Sequence, residues 1–463
     1  MASNILLLQG PMGPFFQRLA KDLKQAGHTV RKINLNAGDR FFFRGANTED
    51  YTGTPADWPE YLARQLKRWN IDAIYLFGDE RSYHRAAHKV ARSLGICVFV
   101  FEEGYLRPHY ITLEKDGVNG RSSIPRDPGA YDTFDDNDTG EPAPVPYSFF
   151  HTAWFAALYY LAGWLGRRRF PHYVHHRPFN PFAELGIWAR AAFRKYYYRV
   201  RERHVMNKLT SEYSKRFFLA PLQVHNDAQI KTWSSVPSAA AFIRRIVSSF
   251  SKHAPRDSLL VIKHHPLDRG YSDYSRLIDK LADKFHCKGR IIYVHDLHLP
   301  TLLNHARATV LLNSTVGISS ILHGTPVKTS GHAIYNMEGL TFQGKMAEFW
   351  QDPGQVDRKL NQRFRNYLMK KNQINGNFYR RTPAFRNHSG IDLEHLSKLV
   401  QTSGSTMQDS AAQGVPAFTF TPAHLPAATD VADIPAELTP IESGAMRQAS
   451  QNQAAGIHHT DVA

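Results

Sequence analysis

The chain has only two cysteines in 463 residues, Cys97 and Cys287. Two isolated thiols build neither a disulfide framework nor a zinc site. Cys97 lies inside a strand-like apolar run and reads as an inert buried thiol. There is no HExxH and no carboxylate cluster at ligand spacing, so no metal is expected. There is no GxGxxG dinucleotide fingerprint either. The glycine-rich turn in "LLLQGPMGPFF" (6–16) lacks the Lys-Ser/Thr of an ATP-cradling loop. The uncharged apolar stretch Ala153–Leu165 is 13 residues long, short of the roughly 20 that span a bilayer. No basic segment precedes Ile5 and only a short apolar run follows, so no secretory signal is expected and a reducing, cytoplasmic location fits. RNP, KH and helix-turn-helix patterns are absent, which argues against a nucleic-acid partner.

What the chain does have is positive charge. Its formal net charge is +16 and its pI is near 9.7. A balance of this size suits a polyanion, an anionic membrane surface or a phosphorylated substrate.

The charge is unevenly placed. Residues 127–146 hold six acids, four prolines and no base, the mark of a loop or linker. The stretch from Ala153 to Arg203 carries ten Lys/Arg against two Glu, a local +8, among Trp, Tyr and Phe. That pattern reads as amphipathic helices at an interface, or as helices packed on the protein's own surface. From about residue 404 the chain turns Ala/Pro/Ser/Thr/Gln-rich, with six acids and one base, and reads as a disordered tail. Removing its −5 leaves +21 on the body.

Two regions between these alternate strand with helix. "ILLLQ", "VRKINL", "IDAIYLFG" and "ICVFVFEEG" are strand candidates, with helical spacing between them and a helix stop at Gly27. "RFFLAPLQV", "SLLVIKHHP", "RIIYVHD", "ATVLLN" and "TPVKTSG" repeat the pattern later. Strand–helix–strand repetition implies parallel sheets covered on both faces. The expected architecture is therefore α/β and GT-B-like, with two Rossmann-like domains facing a cleft. The expected boundaries are 1–126, an acidic linker 127–147, a helical insertion 148–205, a second domain 206–400 and a tail 404–463.

Ligands of such sheets bind beyond the strands' carboxyl ends, and the chemistry-bearing residues fall there. In "VFVFEEGYLRPHY" an apolar strand delivers Glu102 and Glu103 to a glycine turn, with Arg107 and Arg121 following. Adjacent strand residues face opposite ways, so one carboxylate enters the cleft, where burial suits it to acid–base work. "LQVHNDAQI" places Gln223 at a strand end and Asp227 four residues on, as a nucleophile or as a helix cap. "VIKHHP" brings Lys263, His264 and His265 to a strand end, a donor set for phosphate. "LLNSTVG" sets Asn313, Ser314 and Thr315 before a helix, where hydroxyls and free amides take an anion. Gln9 and Gly10 after the first strand, and Asp39 and Arg40 after the second, face the same cleft.

Taken in order, "LLLQGPMGPFFQRLA", "NAGDRFFF", "FEEGYLRPHYITLEKDGVN", "LQVHNDAQI", "VIKHHPLDRG", "YVHDL" and "NSTVGISSILHGTPVK" resemble the KpsS/LipB family of capsule polysaccharide proteins over residues 4–385. The resemblance implies a retaining β-Kdo transferase. It would use CMP-β-Kdo as donor substrate, with no metal and no cofactor. The acceptor would be a (lyso)phosphatidylglycerol, an anionic glycerophospholipid, on which a Kdo linker for capsule is begun. It implies a place on the inner face of the inner membrane, beside a KpsC-type transferase and the capsule export machinery. The Glu-Glu-Gly, His-Pro and Ser-Thr motifs also resemble those of bacterial sialyltransferases. Carried over, Glu102 is the acid/base with Glu103 as fallback, His265, Ser314 and Thr315 hold the donor phosphate, and Asp227 is the nucleophile. The alternative is a non-catalytic export or assembly component, which would release no CMP.

Overall fold

An apolar run with no polar residue for an outer face forms a strand buried on both sides. In β1 (Asn4–Leu7), Ile5, Leu6 and Leu7 are accordingly buried. The computed structural model describes residues 2–135, 140–175, 181–226 and 228–412. The first sheet continues with β2 (Thr29–Asn34), β3 (Thr48–Asp50), β4 (Ala73–Phe77), β5 (Cys97–Glu103) and β6 (Tyr110–Lys115). The second sheet is built from β7 (Phe217–Pro221), β8 (Leu259–Lys263), β9 (Ile291–Val294), β10 (Ala308–Leu311) and β11 (Val327–Thr329). A last short strand, β12 (Gln373–Asn375), follows.

The sheet orders are β12-β6-β5-β4-β1-β2-β3 and β11-β10-β7-β8-β9. The second sheet is wholly parallel; the first is parallel except that β6 runs against both β5 and β12. The chain is thus two Rossmann-like α/β units, as expected of a GT-B-like fold. Strand order reverses between β1 and β4 in one sheet and between β7 and β10 in the other. Those reversals open the crevices in which ligands of such sheets sit.

Several expectations need correction. The second domain does not run to residue 400. β12 returns to the first sheet, with Gln373 opposite Thr112, and Ile374, Phe378, Ile391, Leu396 and Leu399 join the core around Phe15 and Phe101. A three-residue polar strand carries no periodic signal; β6's open edge recruits it. The helix Leu393–Ala412 carries the backbone past 404, so the stretch read as tail begins as helix, and residues 413–463 lie outside the described residues.

The acidic stretch is not a bare loop. Tyr131 is fully buried against Phe364 and Tyr367, and Arg363 pairs with Asp132 and Asp135. The insertion is two pieces. Helix Phe149–Leu165 packs on the first domain and helix Pro181–Arg201 on the second, where Arg194 and Arg199 pair with Asp273 and Asp296.

Candidate active site

β5 and β6 form a hairpin whose turn brings two carboxylates to the sheet's end. Glu102 lies opposite Thr112 and Glu103 opposite Ile111. Gly104 is required there, because a Cβ at that position would sit 2.0 Å from the Tyr110 carbonyl oxygen. The two side chains take different surroundings. Glu103 Oε1 accepts a hydrogen bond from the Tyr379 hydroxyl at 3.1 Å. Glu102 lies beside Gly78, at the end of β4, within the field of Asp79.

Burial pushes Glu102 from its ordinary 4.5 up to about 7. The Glu103 N–H, donating to Glu102 Oε1 at 2.9 Å, pulls it down; the Glu103 and Asp79 charges push it up and Arg107 opposes them. Asp79 is itself raised to about 6, chiefly by burial, though the Val118 N–H donates to it at 3.2 Å. These are half-buried or buried acids near neutrality, as acid–base chemistry requires. Asp79 is not among the residues expected from the sequence; its signal is its place just after β4, beside that of Glu102 at the end of β5.

On the second sheet, His265 leaves the end of β8 half-buried. Its Nδ1 accepts the Leu267 N–H at 3.2 Å, so the neutral ring carries its proton on Nε2. Burial holds this ring unprotonated down to about 4, with Lys263, Arg107 and Arg269 acting the same way and Asp268 opposing. His265 is therefore a neutral N–H donor. Gln223, after β7, donates to Asn313, after β10, at 3.0 Å, which ties the two strands together at the reversal point. Ser314 Oγ accepts the Val316 N–H at 3.2 Å, and the Thr315 hydroxyl makes no capping bond to the helix it precedes.

The walls are drawn together by contacts between domains. Trp233 Nε1 donates to Glu80 at 3.1 Å, and Arg126 Nε donates to the Ala333 carbonyl at 3.3 Å. The exposed Arg107, which donates to the Gly104 carbonyl at 3.1 Å, acts electrostatically on both Glu102 and His265.

Other expected site residues sit elsewhere. Lys263 and His264 are buried rather than open to the cleft. His264 bonds Tyr293 at 2.6 Å and packs on His295, while Lys263 is lowered to about 8 by burial and by Arg269, opposed by Glu202 and Asp296. Strand alternation puts Lys263 on the buried face of Leu259 and Val261, and His264, just past the strand, is enclosed by Tyr293 and His295. Gln9 and Asp39 are closed off too. Gln9 donates to the Tyr159 and Tyr173 hydroxyls at 2.6 and 3.0 Å, and Tyr159 donates to Asp39 at 3.1 Å. Those residues moor the insertion to the first sheet. Gly10 stays at the wall, its Cα against the Phe16 ring, and Arg40 pairs with Asp50. Asp227 lies outside the described residues. Two places before it, His225 is held through Nδ1 by the buried Asp268, which also takes the Ser272 hydroxyl; no local pattern pairs residues so far apart in the chain.

A profile described as "capsule polysaccharide biosynthesis protein" matches residues 72–379. The capsule polysaccharide export protein KpsS of Escherichia coli is 44% identical over 374 residues, 81% of this chain and 96% of its own. This chain belongs to the capsule polysaccharide biosynthesis family. The capsule polysaccharide modification protein LipB of Neisseria meningitidis is 40% identical over 385 residues, covering 82% of this chain and 92% of LipB. Among solved structures, the KpsC β-Kdo 2,7 transferase of Thermosulfurimonas dismutans aligns with 78% of this capsule-family chain and 89% of its own, at 15% identity and a TM-score of 0.38. All of the predicted site residues above except Gln9, Gly10, Asp39 and Arg40 fall inside the matched region.

Proposed function

We propose that the protein is a retaining glycosyltransferase of capsule assembly that moves Kdo from CMP-β-Kdo onto an anionic glycerophospholipid, of the (lyso)phosphatidylglycerol kind. The observation that carries the reading is that an acid at the end of β5 and an imidazole beyond the end of β8 share one cationic neighbour, Arg107. Glu102, raised to about 7, and His265, neutral above about 4, both lie in the field of Arg107.

CMP is already a good leaving group, so the demands are charge stabilisation and a base. In the first step an Asp227 carboxylate oxygen bonds to the anomeric carbon and the bond to the CMP phosphate breaks, the phosphate keeping the electron pair. The His265 Nε2–H, with the Ser314 and Thr315 hydroxyls, steadies the charge that develops there. In the second step the acceptor hydroxyl attacks the same carbon, its proton passes to Glu102, and the Asp227 ester bond breaks. Two inversions give net retention. Donor and acceptor are substrates, and no metal or cofactor takes part.

The insertion supports a membrane setting. Trp188, Phe193 and Tyr196 are exposed among arginines and a lysine, and Tyr147, Phe149, Phe150 and Trp154 are exposed on the uncharged stretch that leads to Arg167, Arg168 and Arg169. That is an interfacial pattern, and each basic side chain near an anionic surface adds about 1 kcal/mol. Among the described residues no helix is long and apolar enough to cross a membrane. The protein would therefore lie on the cytoplasmic face of the inner membrane, beside a KpsC-type transferase and the export machinery.

The test is incubation of the purified full chain with CMP-Kdo made in situ and a fluorescent phosphatidylglycerol, read by mass spectrometry. A mass gain of one Kdo on the lipid with release of CMP is expected, and a trapped sugar on the wild-type protein that disappears in Asp227→Ala. No CMP release would favour an export or assembly component instead.

A further inference from the structure

Two helical stripes on the first domain face each other across an open groove. Ala37, Arg40, Phe41 and Arg44 line one side; Leu158, Leu161, Ala162 and Leu165 line the other, around about 270 Å³. Spacings of three and four put Leu158, Leu161, Ala162 and Leu165 on one face of the helix Phe149–Leu165 and Ala37, Arg40 and Phe41 on one face of the short helix Ala37–Phe42, with Arg44 just beyond its end. The floor is apolar and unpartnered: Phe41, Leu161 and Leu165 are 41, 44 and 64% exposed. The two helices pack closely beneath it. Gly38 lies against the Tyr159 ring and Gly166 against Ala37, so closely that a Cβ at either would collide, at 2.8 and 2.3 Å. Tyr159 is pinned by Gln9, Asn36 and Asp39.

The rim is cationic. Asp50 takes both Arg40 and Arg169, at 2.5 and 2.8 Å. Among the described residues, Arg44, Arg167 and Arg168 pair with no carboxylate; Arg44 stands over the Phe41 ring and Arg167 over Trp164. A strip of hydrocarbon beside unneutralised guanidiniums complements one kind of molecule, an acyl chain carrying a phosphate at its head.

We infer that this groove seats one acyl chain of an anionic phospholipid, with the phosphate on Arg44 and the arginines after Leu165. The site would draw a lipid out of the bilayer plane beside the first domain. It rests on the proposed lipid acceptor for its purpose, but binding can be measured without any transfer.

The experiment is calorimetric titration of the full chain with a short-chain phosphatidylglycerol below its micelle concentration. Phosphatidylcholine of the same chain length and free glycerol phosphate run in parallel. Arg44→Ala is expected to weaken phosphatidylglycerol binding about fivefold, the loss of one cation near the lipid charge, and Leu161→Glu about tenfold or more. Phosphatidylcholine should bind more weakly than phosphatidylglycerol, and glycerol phosphate not measurably. Circular dichroism melts confirm that each variant folds; Leu165→Ser, at the most exposed floor position, serves if Leu161→Glu does not. Wild-type affinity in both groove variants, or glycerol phosphate binding as well as the lipid does, overturns the inference. Loss of lipid binding in the variants while wild-type protein turns over no CMP-Kdo would uphold the groove and defeat the transferase reading. Normal binding changes with normal CMP release would uphold both.

Discussion

The two walls of the cleft respond in opposite ways to the same cause. On the first domain, burial raises carboxyls: Glu102 to about 7 and Asp79 to about 6. On the second, burial lowers bases: His265 to about 4 and, enclosed behind the wall, His264 to about 4 and Lys263 to about 8. Desolvation penalises whichever form is charged. Near neutral pH, one wall therefore holds acids poised to exchange a proton and the other holds the neutral His265, whose Nε2–H is a hydrogen-bond donor. Arg107, exposed between them, is the permanent charge that each wall senses. An acid sugar with a phosphate leaving group would meet a proton acceptor on one side and neutral donors on the other.

The strongest way to break this contrast is Glu102→Gln. If Glu102 takes the acceptor proton, transfer falls about 10²–10⁴-fold. The rate of the wild type should rise as pH passes through about 7, where the carboxyl ionises, and that limb should vanish in the variant. Next comes His265→Ala. Losing a donor to the departing phosphate should cost about 10²-fold or more. The limb near pH 7 should remain, because this ring is already neutral above about 4. A limb that disappeared with His265 and survived without Glu102 would reverse the assignment of the walls.

Arg107→Ala sharpens the comparison. Arg107 lowers both Glu102 and His265, so its removal should shift both titrations upward, read as a shift of the pH–rate limb to higher pH and of the His265 resonance in NMR.

The smallest expected effect is on stability. The folded state holds the Glu102 proton more tightly than the unfolded chain does. This favours folding most below the ordinary 4.5 and is lost as pH rises through about 7. Glu102→Gln should therefore melt higher than wild type at pH 8, with the gain shrinking towards pH 5, in thermal scans across that range.

Legibility in the sequence followed locality. β1, β4, β5, β8 and β10 were readable because each is an uninterrupted apolar run, and Gly27, at φ +88°, marks its helix stop as glycine should. β3, β6 and β12 were not, because two are three residues long and β6 alternates against a partner chosen by the hairpin. For the site, the positions of Glu102 and His265 at strand ends could be read directly. Asp79 and the His225–Asp268 pair could not. Each is significant through a neighbour distant along the chain, such as Val118 for Asp79.

The sequence by itself determined that strands end in acids at one place and in histidines at another, since apolar runs stop where charge begins. Only the tertiary structure decided which of those side chains meet. Packing enclosed Lys263 at the end of β8 and His264 against Tyr293 and His295, while His265 stayed half-buried, and the aromatic helix Phe149–Leu165 capped Gln9 and Asp39. Direction and burial come from packing against residues far away in the chain, and no local pattern encodes them.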